Sequence, residues 1–396
     1  MTKIQGLWAY LALKMLSTSN PCCGANVRLA AARVLFRPLR LSEAQTINNI
    51  ETDNSSGDTF MKRLALVFLA ALWLHGASAQ GVAGTAVIID STALADALAR
   101  NVLVWDVRPA DAFAKGHIPG AVSIGDASAV LRDPNTEDFV ALGQIEKLLG
   151  SAGLDPTREV VIYGSRGGWQ PYFGLYTLQY FGGKNLSVYH EGIDDWVGAG
   201  RPVAQGASAG RAVALKLSHD ASGRVSVNTR QMIASLNKPE VQILDVRTVG
   251  EFSGQDIRAI RGGHIPGAVN IPYEDNWQDP DTANKMARRQ VASNAGMSLK
   301  PVADLKALYS KLDPDKETIV YCQSGARASE TAGVLQQLGF KNVKIYDSSW
   351  LGYGNTLDAP AENATFFNVG LLNSKLSTMQ GRIDQLEKEL AARPAK

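Results

Sequence analysis

From residue 86 onward the chain alternates brief apolar runs with longer stretches in which apolar positions recur at helical spacing. Val102-Leu103-Val104-Trp105, Val160-Val161-Ile162-Tyr163, Val241-Gln242-Ile243-Leu244 and Thr318-Ile319-Val320-Tyr321 are short and rich in β-branched and aromatic residues. That composition suits strands buried on both faces. Segments 142–149, 175–180, 303–312 and 331–338 carry the helical pattern between them. Strands alternating with helices predict an α/β fold, each sheet parallel and flanked by helices. Residues 212–217 read as a further strand, followed by 224–227.

The alternation occurs twice, and so do its details. Asp106-Val107-Arg108 ends one apolar run and Asp245-Val246-Arg247 ends another. Gly116-His117-Ile118-Pro119-Gly120-Ala121 returns as Gly263-His264-Ile265-Pro266-Gly267-Ala268, and Leu154-Asp155-Pro156 as Leu312-Asp313-Pro314. The repeat predicts two domains of ordinary size, 80–205 and 227–360, joined by a linker at 206–226 that begins rich in Gly, Ala and Ser. Differences in spacing place insertions in loops, chiefly at 254–262. The Asp and Arg of each copy predict an ion pair at a strand end, and Ile-Pro-Gly predicts a turn. His117 and His264 belong with these structural motifs rather than with catalysis, because the first copy keeps its histidine while lacking a nucleophile.

The nucleophile is Cys322. It lies between the apolar run 319–321 and a helical stretch from Ser329, in a turn that contains Gly325. A cysteine between a strand end and a helix start meets converging backbone N–H groups and the positive end of a helix dipole. Both favour a thiolate over a thiol. Aligning Tyr163 with Tyr321 sets Gly164 opposite Cys322, and the first loop reads Gly164-Ser165-Arg166-Gly167-Gly168-Trp169. A cysteine that merely filled a core would be replaced by Ala or Val, not by a loop glycine.

Composition adds bounds. The chain has 396 residues, 45% of them hydrophobic and 20% charged, with a formal net charge of +2. Those values fit a globular protein with sizeable cores and no nucleic-acid partner. Met61-Lys62-Arg63, the apolar run 64–74 and Ala77-Ser78-Ala79 before Gln80 form the three parts of a secretory signal peptide. Residues 61–79 therefore read as a signal peptide, 1–60 as an upstream segment absent from the mature protein, and the mature chain as periplasmic or secreted. A rival reading takes the basic, acid-poor residues 1–40 as a transit peptide. On the first reading Cys22 and Cys23 are removed, so Cys322 has no partner for an intramolecular disulfide. The one remaining cysteine and five scattered histidines offer no metal-ligand cluster, so no metal is expected; no cofactor is expected either.

With these residues assembled, the chain resembles the tandem rhodanese family, sulfurtransferases with an inactive N-terminal and an active C-terminal domain. The resemblance spans 86–357. It rests on the Asp-Val-Arg and Gly-His-Ile-Pro-Gly-Ala motifs, on the loop with Cys322, Gly325 and Arg327, and on Tyr346-Asp347-Ser348-Ser349-Trp350. It implies two tandem rhodanese-like domains and a persulfide on Cys322. The backbone of Gln323, Ser324, Gly325, Ala326 and Arg327 would cradle the anionic sulfur, with Arg327 as the nearby cation. Asp347 either orients the loop or is structural, and Arg261 either faces the substrate or is an exposed loop residue. The implied partners are a small anionic sulfur donor, thiosulfate or mercaptopyruvate, and a thiol or cyanide acceptor.

Gln323 and Ser324 stand where thiosulfate specialists often carry basic residues, so the donor stays open. A non-catalytic sulfur carrier is a second reading. A cysteine phosphatase or arsenate reductase is a third, but those loops place Arg six residues after Cys, where this chain has Ala328.

In the tail, 361–396, Val369, Leu376, Ile383 and Leu390 recur every seventh residue, with Leu372, Met379 and Leu386 between them. That is an a/d heptad pattern of about three repeats. It predicts either a helix that drives homo-oligomerisation or an amphipathic helix lying on the domain surface. Gly381 weakens the helix at its middle.

Overall fold

The computed structural model describes residues 87–207 and 210–392. The expected signal peptide at 61–79 and the upstream segment 1–60 lie outside the described residues.

The first domain runs β1 (Val87–Ile88), α1 (Ser91–Ala99), β2 (Leu103–Asp106), α2 (Ala110–Lys115), β3 (Val122–Ser123), α3 (Ala127–Leu131), α4 (Leu142–Ala152), β4 (Val160–Tyr163), α5 (Gln170–Tyr180), β5 (Leu186–Tyr189) and α6 (Gly192–Gly198). The second opens with β6 (Ser226–Val227), α7 (Thr229–Ala234), β7 (Val241–Asp245), α8 (Val249–Phe252), β8 (Arg261–His264) and β9 (Val269–Asn270). It continues through α9 (Thr282–Ala287), α10 (Val302–Leu308), β10 (Glu317–Tyr321), α11 (Ala326–Gln337), β11 (Asn342–Tyr346) and α12 (Ser349–Asn355). The tail holds β12 (Glu362–Phe366) and α13 (Val369–Ala391).

The two sheets have the same order, β1-β5-β4-β2-β3 and β6-β11-β10-β7-β9. Every pairing within them is parallel. The fold is thus α/β with two tandem units, as the alternation predicts. β4 and β10 occupy the sheet centres, and all of β4 and residues 319–321 of β10 are buried and apolar or aromatic.

The repeated motifs interlock in the same way in each domain. Arg247 forks onto Asp245 at 2.6 Å and donates to the carbonyl of Gly263 at 2.8 Å. Arg108 does the same to Asp106 and Gly116. The Tyr321 hydroxyl accepts the Ile265 N–H, and the Tyr163 hydroxyl accepts that of Ile118. His117 stacks on Phe113 and His264 on Phe252, each with Nδ1 against that phenylalanine's own carbonyl. The histidines are therefore fastened into the scaffold.

Three expectations need correction. Residues 212–217 form no strand; they run extended along α4, with the Val213 N–H donating to Gly150 O and the Leu217 N–H to Glu146 Oε1. Their backbone is satisfied by a helix flank instead of a sheet edge. The tail, in turn, is not all helix, because β12 pairs antiparallel with β8. Gly263, at φ 104°, lets the strands approach there: a Cβ would lie 2.4 Å from the carbonyl of Glu362. α13 buries none of its residues, so the reading that lays it on the domain surface does not hold.

The domains share a core. α5 packs against α11, and a Cβ on Gly333 would lie 2.5 Å from the Tyr172 ring. The contact places the helix after each loop against its counterpart.

Candidate active site

Cys322 is the first residue beyond β10 and is fully buried. Its N–H donates to Ser349 Oγ at 3.1 Å, and its carbonyl accepts the Trp350 N–H at 3.0 Å. Gly325 adopts φ 82°, where a Cβ would sit 2.8 Å from the Asp347 carbonyl oxygen, so only glycine fits this corner. The turn folds the backbone of Gln323, Ser324, Gly325, Ala326 and Arg327 around the start of α11, which has no side-chain cap. Among the described residues, none of the amides from Gln323 to Arg327 donates to a protein acceptor. Free amides on a concave turn at a helix N-terminus form an anion-binding cradle.

The charges around the cradle are paired. Arg327 makes two 2.8 Å hydrogen bonds to Glu251, whose other cationic neighbour is Arg258 at 3.2 Å. Burial alone would push the Glu251 carboxyl up; the Arg327 hydrogen bonds and charge, helped by the Thr248 amide and Arg258, hold it at about 2. Arg327 is thus the loop cation by position but is not a free one. Thr248, Glu251, Gln255, Asp256, Ile257, Arg258 and Arg327 line a cleft of about 520 Å³. Gln323 donates from Nε2 to the Arg258 carbonyl, while its Oε1 is buried without a partner.

Asp347 lies against the Gly325 corner, and its partner comes from the other domain: Arg132 Nη2 donates to Oδ1 at 2.5 Å. Burial raises the Asp347 carboxyl, with the Arg132 charge opposing it. Arg261 does not face a substrate. Its Nη2 donates to the carbonyls of Tyr353, Thr356 and Ala359, and it is 5% exposed. The guanidinium ties α12 and the chain beyond it to β8, and that coverage was not legible in a loop-like sequence context.

Sequence reasoning missed Glu251, Arg132 and Glu330. Glu251 carried a local signal, the Thr248/Glu251 capping box, which explains its place at the start of α8 but not its partner. Glu330 sits on α11, fully buried, with Oε1 accepting from Trp277 Nε1 at 2.9 Å and Oε2 unpartnered. Burial raises its carboxyl well above the ordinary range despite the Trp277 hydrogen bond. Glu274 also has an unpartnered buried oxygen and a carboxyl raised by burial.

A rhodanese-like domain is matched twice along the chain, over residues 90–199 and 228–356. The thiosulfate sulfurtransferase of Corynebacterium glutamicum is 34% identical over 261 residues, covering 62% of this chain and 80% of that protein. A putative thiosulfate sulfurtransferase of Mycolicibacterium smegmatis is 32% identical over 277 residues, 66% of this chain and 92% of its own. Among solved structures, the anaerobic ergothioneine biosynthesis enzyme from Chlorobium limicola, in complex with trimethyl histidine, superposes with TM-score 0.58 at 19% identity, covering 69% of each chain. An EanB variant with ergothioneine covalently linked to a cysteine persulfide gives 0.59 at 19% identity and the same coverage. These two share the fold with this chain.

Proposed function

We propose, for a chain that belongs to the rhodanese-like family and is a sulfurtransferase, that Cys322 is the atom-carrying nucleophile and passes sulfane sulfur through a persulfide. The observation that carries this reading is the set of free amides that follows Cys322 in the turn between the central strand and α11. In the first half-reaction the Cys322 thiolate attacks the outer sulfur of thiosulfate. The new S–S bond forms as the old one breaks, and sulfite leaves with the electron pair. In the second, a thiol or cyanide attacks the terminal sulfur, and the Cys322 thiolate leaves with the pair. The loop amides hold the anionic sulfur in both states without reorganising. Mercaptopyruvate as donor fits the same steps, with the enolate of pyruvate as the leaving group. Intact-mass measurement after mixing with thiosulfate or mercaptopyruvate tests the reading. A gain of one sulfur atom is expected, absent in Cys322→Ala; sulfur retained in that variant sinks it.

One observation favours a carrier over a thiosulfate-cyanide enzyme: both Nη atoms of Arg327 are bound to Glu251, so the loop offers a divalent donor no free guanidinium. A stable persulfide without thiocyanate turnover would select the carrier.

We also propose that α13 joins two copies of this chain as a parallel coiled coil. Leu376, Met379, Ile383, Leu386 and Leu390 are 45–67% exposed, which a lone helix in water does not sustain. In parallel register Arg382, at a g position, faces Glu387 at e of the other copy, a complementary charge pair. Light scattering should give about twice the chain mass, falling to one copy when the protein is cut after Pro360; an unchanged oligomeric state refutes the idea.

A further inference from the structure

Arg132 belongs to the domain without a nucleophile, yet its side chain ends at the sulfur loop of the other domain. It is 8% exposed. The guanidinium lies 4.7 Å over the Phe173 ring and 5.5 Å from that of Phe139, which fixes its plane. Nη1 donates to the Glu137 carbonyl and Nη2 to Asp347 Oδ1. A Cβ on Gly325 would lie 3.2 Å from Nη2 and 2.9 Å from Asp347 Oδ1, so the pair stands directly on the left-handed corner of the loop. Nε is buried and has no acceptor. The Arg132 charge is also close enough to Cys322 to interact with it electrostatically.

The charged and titratable groups around Cys322 come from several elements. Arg327 comes from α11, and Tyr273 from the stretch after β9. Glu251 and Glu274 stand beside Arg327, while Asp347 is paired with Arg132. Glu251 is engaged by two arginines and binds both Nη atoms of Arg327, so neither Nη of that guanidinium is free to turn to an anion. Asp347 takes one Nη of Arg132 and leaves Nε with a free proton.

We propose that Arg132 is a positioning residue for sulfur transfer: the nucleophile-free domain uses it to brace the Gly325 corner and to supply positive charge at Cys322. This rests on Cys322 being the sulfur acceptor, but it reaches further, because it gives the first domain a part in the chemistry. Anionic donors then meet a cation that is rigidly held by aromatic rings and crosses the domain boundary. Loss of Arg132 weakens the attraction for an anion at Cys322 while leaving the cysteine itself in place.

The test compares alkylation of Cys322 in the full chain by anionic iodoacetate and neutral iodoacetamide, read by the mass of the peptide that carries Cys322. Arg132→Gln is expected to lower the iodoacetate-to-iodoacetamide rate ratio roughly three- to tenfold, and Arg132→Lys to restore most of it. Asp347→Asn, which leaves Arg132 in place and unneutralised, should raise the ratio. With thiosulfate, Arg132→Gln should raise KM more than it lowers kcat. A ratio unchanged in Arg132→Gln, with a lowered melting temperature, overturns the proposal and leaves Arg132 a domain tie. If Arg132→Gln does not fold, an Asp347→Asn ratio equal to wild type overturns it equally. Because the ratio is read without sulfur transfer, a protein that takes up no sulfur defeats the reading of Cys322 without deciding that of Arg132.

Discussion

The loops 164–169 and 322–327 leave equivalent strands, and the backbone marks their equivalence: the Ile193 N–H donates to Gly164 O as the Trp350 N–H donates to Cys322 O. Around them the two regions part company. In the first loop the Arg166 amide donates to Asp194 Oδ2 and the Gly168 amide to Ser165 O, so the turn binds itself. A Cβ on Gly167 would lie 2.3 Å from Met297, which the longer segment 271–301 of the second domain lays over this loop. That segment is anchored by Asn294 to the Arg166 carbonyl and by Ser298 to Glu191. His190, whose imidazole burial keeps toward the neutral form, bridges Tyr172 and the Met297 carbonyl.

The second loop keeps its amides free and receives Arg132 instead of a methionine. Each domain thus reaches across to the residue after the other's fifth strand, Asp347 in one direction and His190 in the other. The difference teaches that the two loops are set apart by more than the cysteine. Two of the first loop's amides are engaged and Met297 lies over it, so the scaffold remains while the row of free amides does not.

The pairing of Arg327 gives the largest effect by which this contrast can be sharpened. Glu251→Gln removes the charge that neutralises Arg327, and the folded protein should lose about 2 kcal/mol, because a buried pair is left half matched. The sign with pH follows from the depressed carboxyl. Held at about 2 in the fold against an ordinary 4.5, Glu251 contributes stability above the ordinary value and loses it as pH falls towards 2. Urea melts of wild type from pH 5 to 3 should show that decline, and the variant should not. At neutral pH the unmatched Arg327 and Arg258 should lower KM for thiosulfate roughly threefold or more. A KM unchanged beside the stability loss would make the pair structural only.

How much of this was legible follows from sequence distance. The strand, turn and helix around Cys322 are local, and so are the Asp-Arg clamps, whose members are two residues apart. Their side-chain types and order suffice to place them. Arg327 and Glu251 are 76 residues apart, and Arg132 and Asp347 are 215. Nothing in a single sequence pairs such residues, so the loop's cation read as free and the first domain read as a mere scaffold. Arg261 misled for a related reason: β12 and α12 cover it, and Glu362-Asn363-Ala364-Thr365-Phe366 shows no strand alternation because it is an edge added to β8. The tail's heptads were legible, since seven-residue recurrence is a property of the chain alone.

Placing a cysteine in the first loop is a direct attempt to break the contrast. Gly164→Cys should gain no sulfur from thiosulfate, because the Arg166 amide stays bound to Asp194. The new Cβ would lie 3.1 Å from Pro171 and 3.3 Å from Val107, so the substitution should cost about 1 kcal/mol of overpacking. Mass analysis in a Cys322→Ala background reads the outcome cleanly. Sulfur uptake there would show that the cysteine alone separates the copies.

The smallest effect concerns Glu330, which has no counterpart in the first copy: the matching position on α5 is Tyr172. Its carboxyl is raised well above the ordinary 4.5 by burial, so the folded chain holds a proton that the unfolded chain gives up once pH exceeds that value. Stability attributable to Glu330 therefore falls as pH rises above about 4.5, and continues to fall until the folded carboxyl itself ionises. In Glu330→Gln the amide oxygen still accepts from Trp277 Nε1, but nothing at this position titrates. The drop in Tm between pH 5 and pH 8 should be smaller in the variant, with His190 and the other interdomain groups unchanged as internal controls. An identical pH dependence in the two proteins would mean that Glu330 ionises in the fold as it does in the open chain. The second copy would then tolerate a buried charge on the helix that follows its loop.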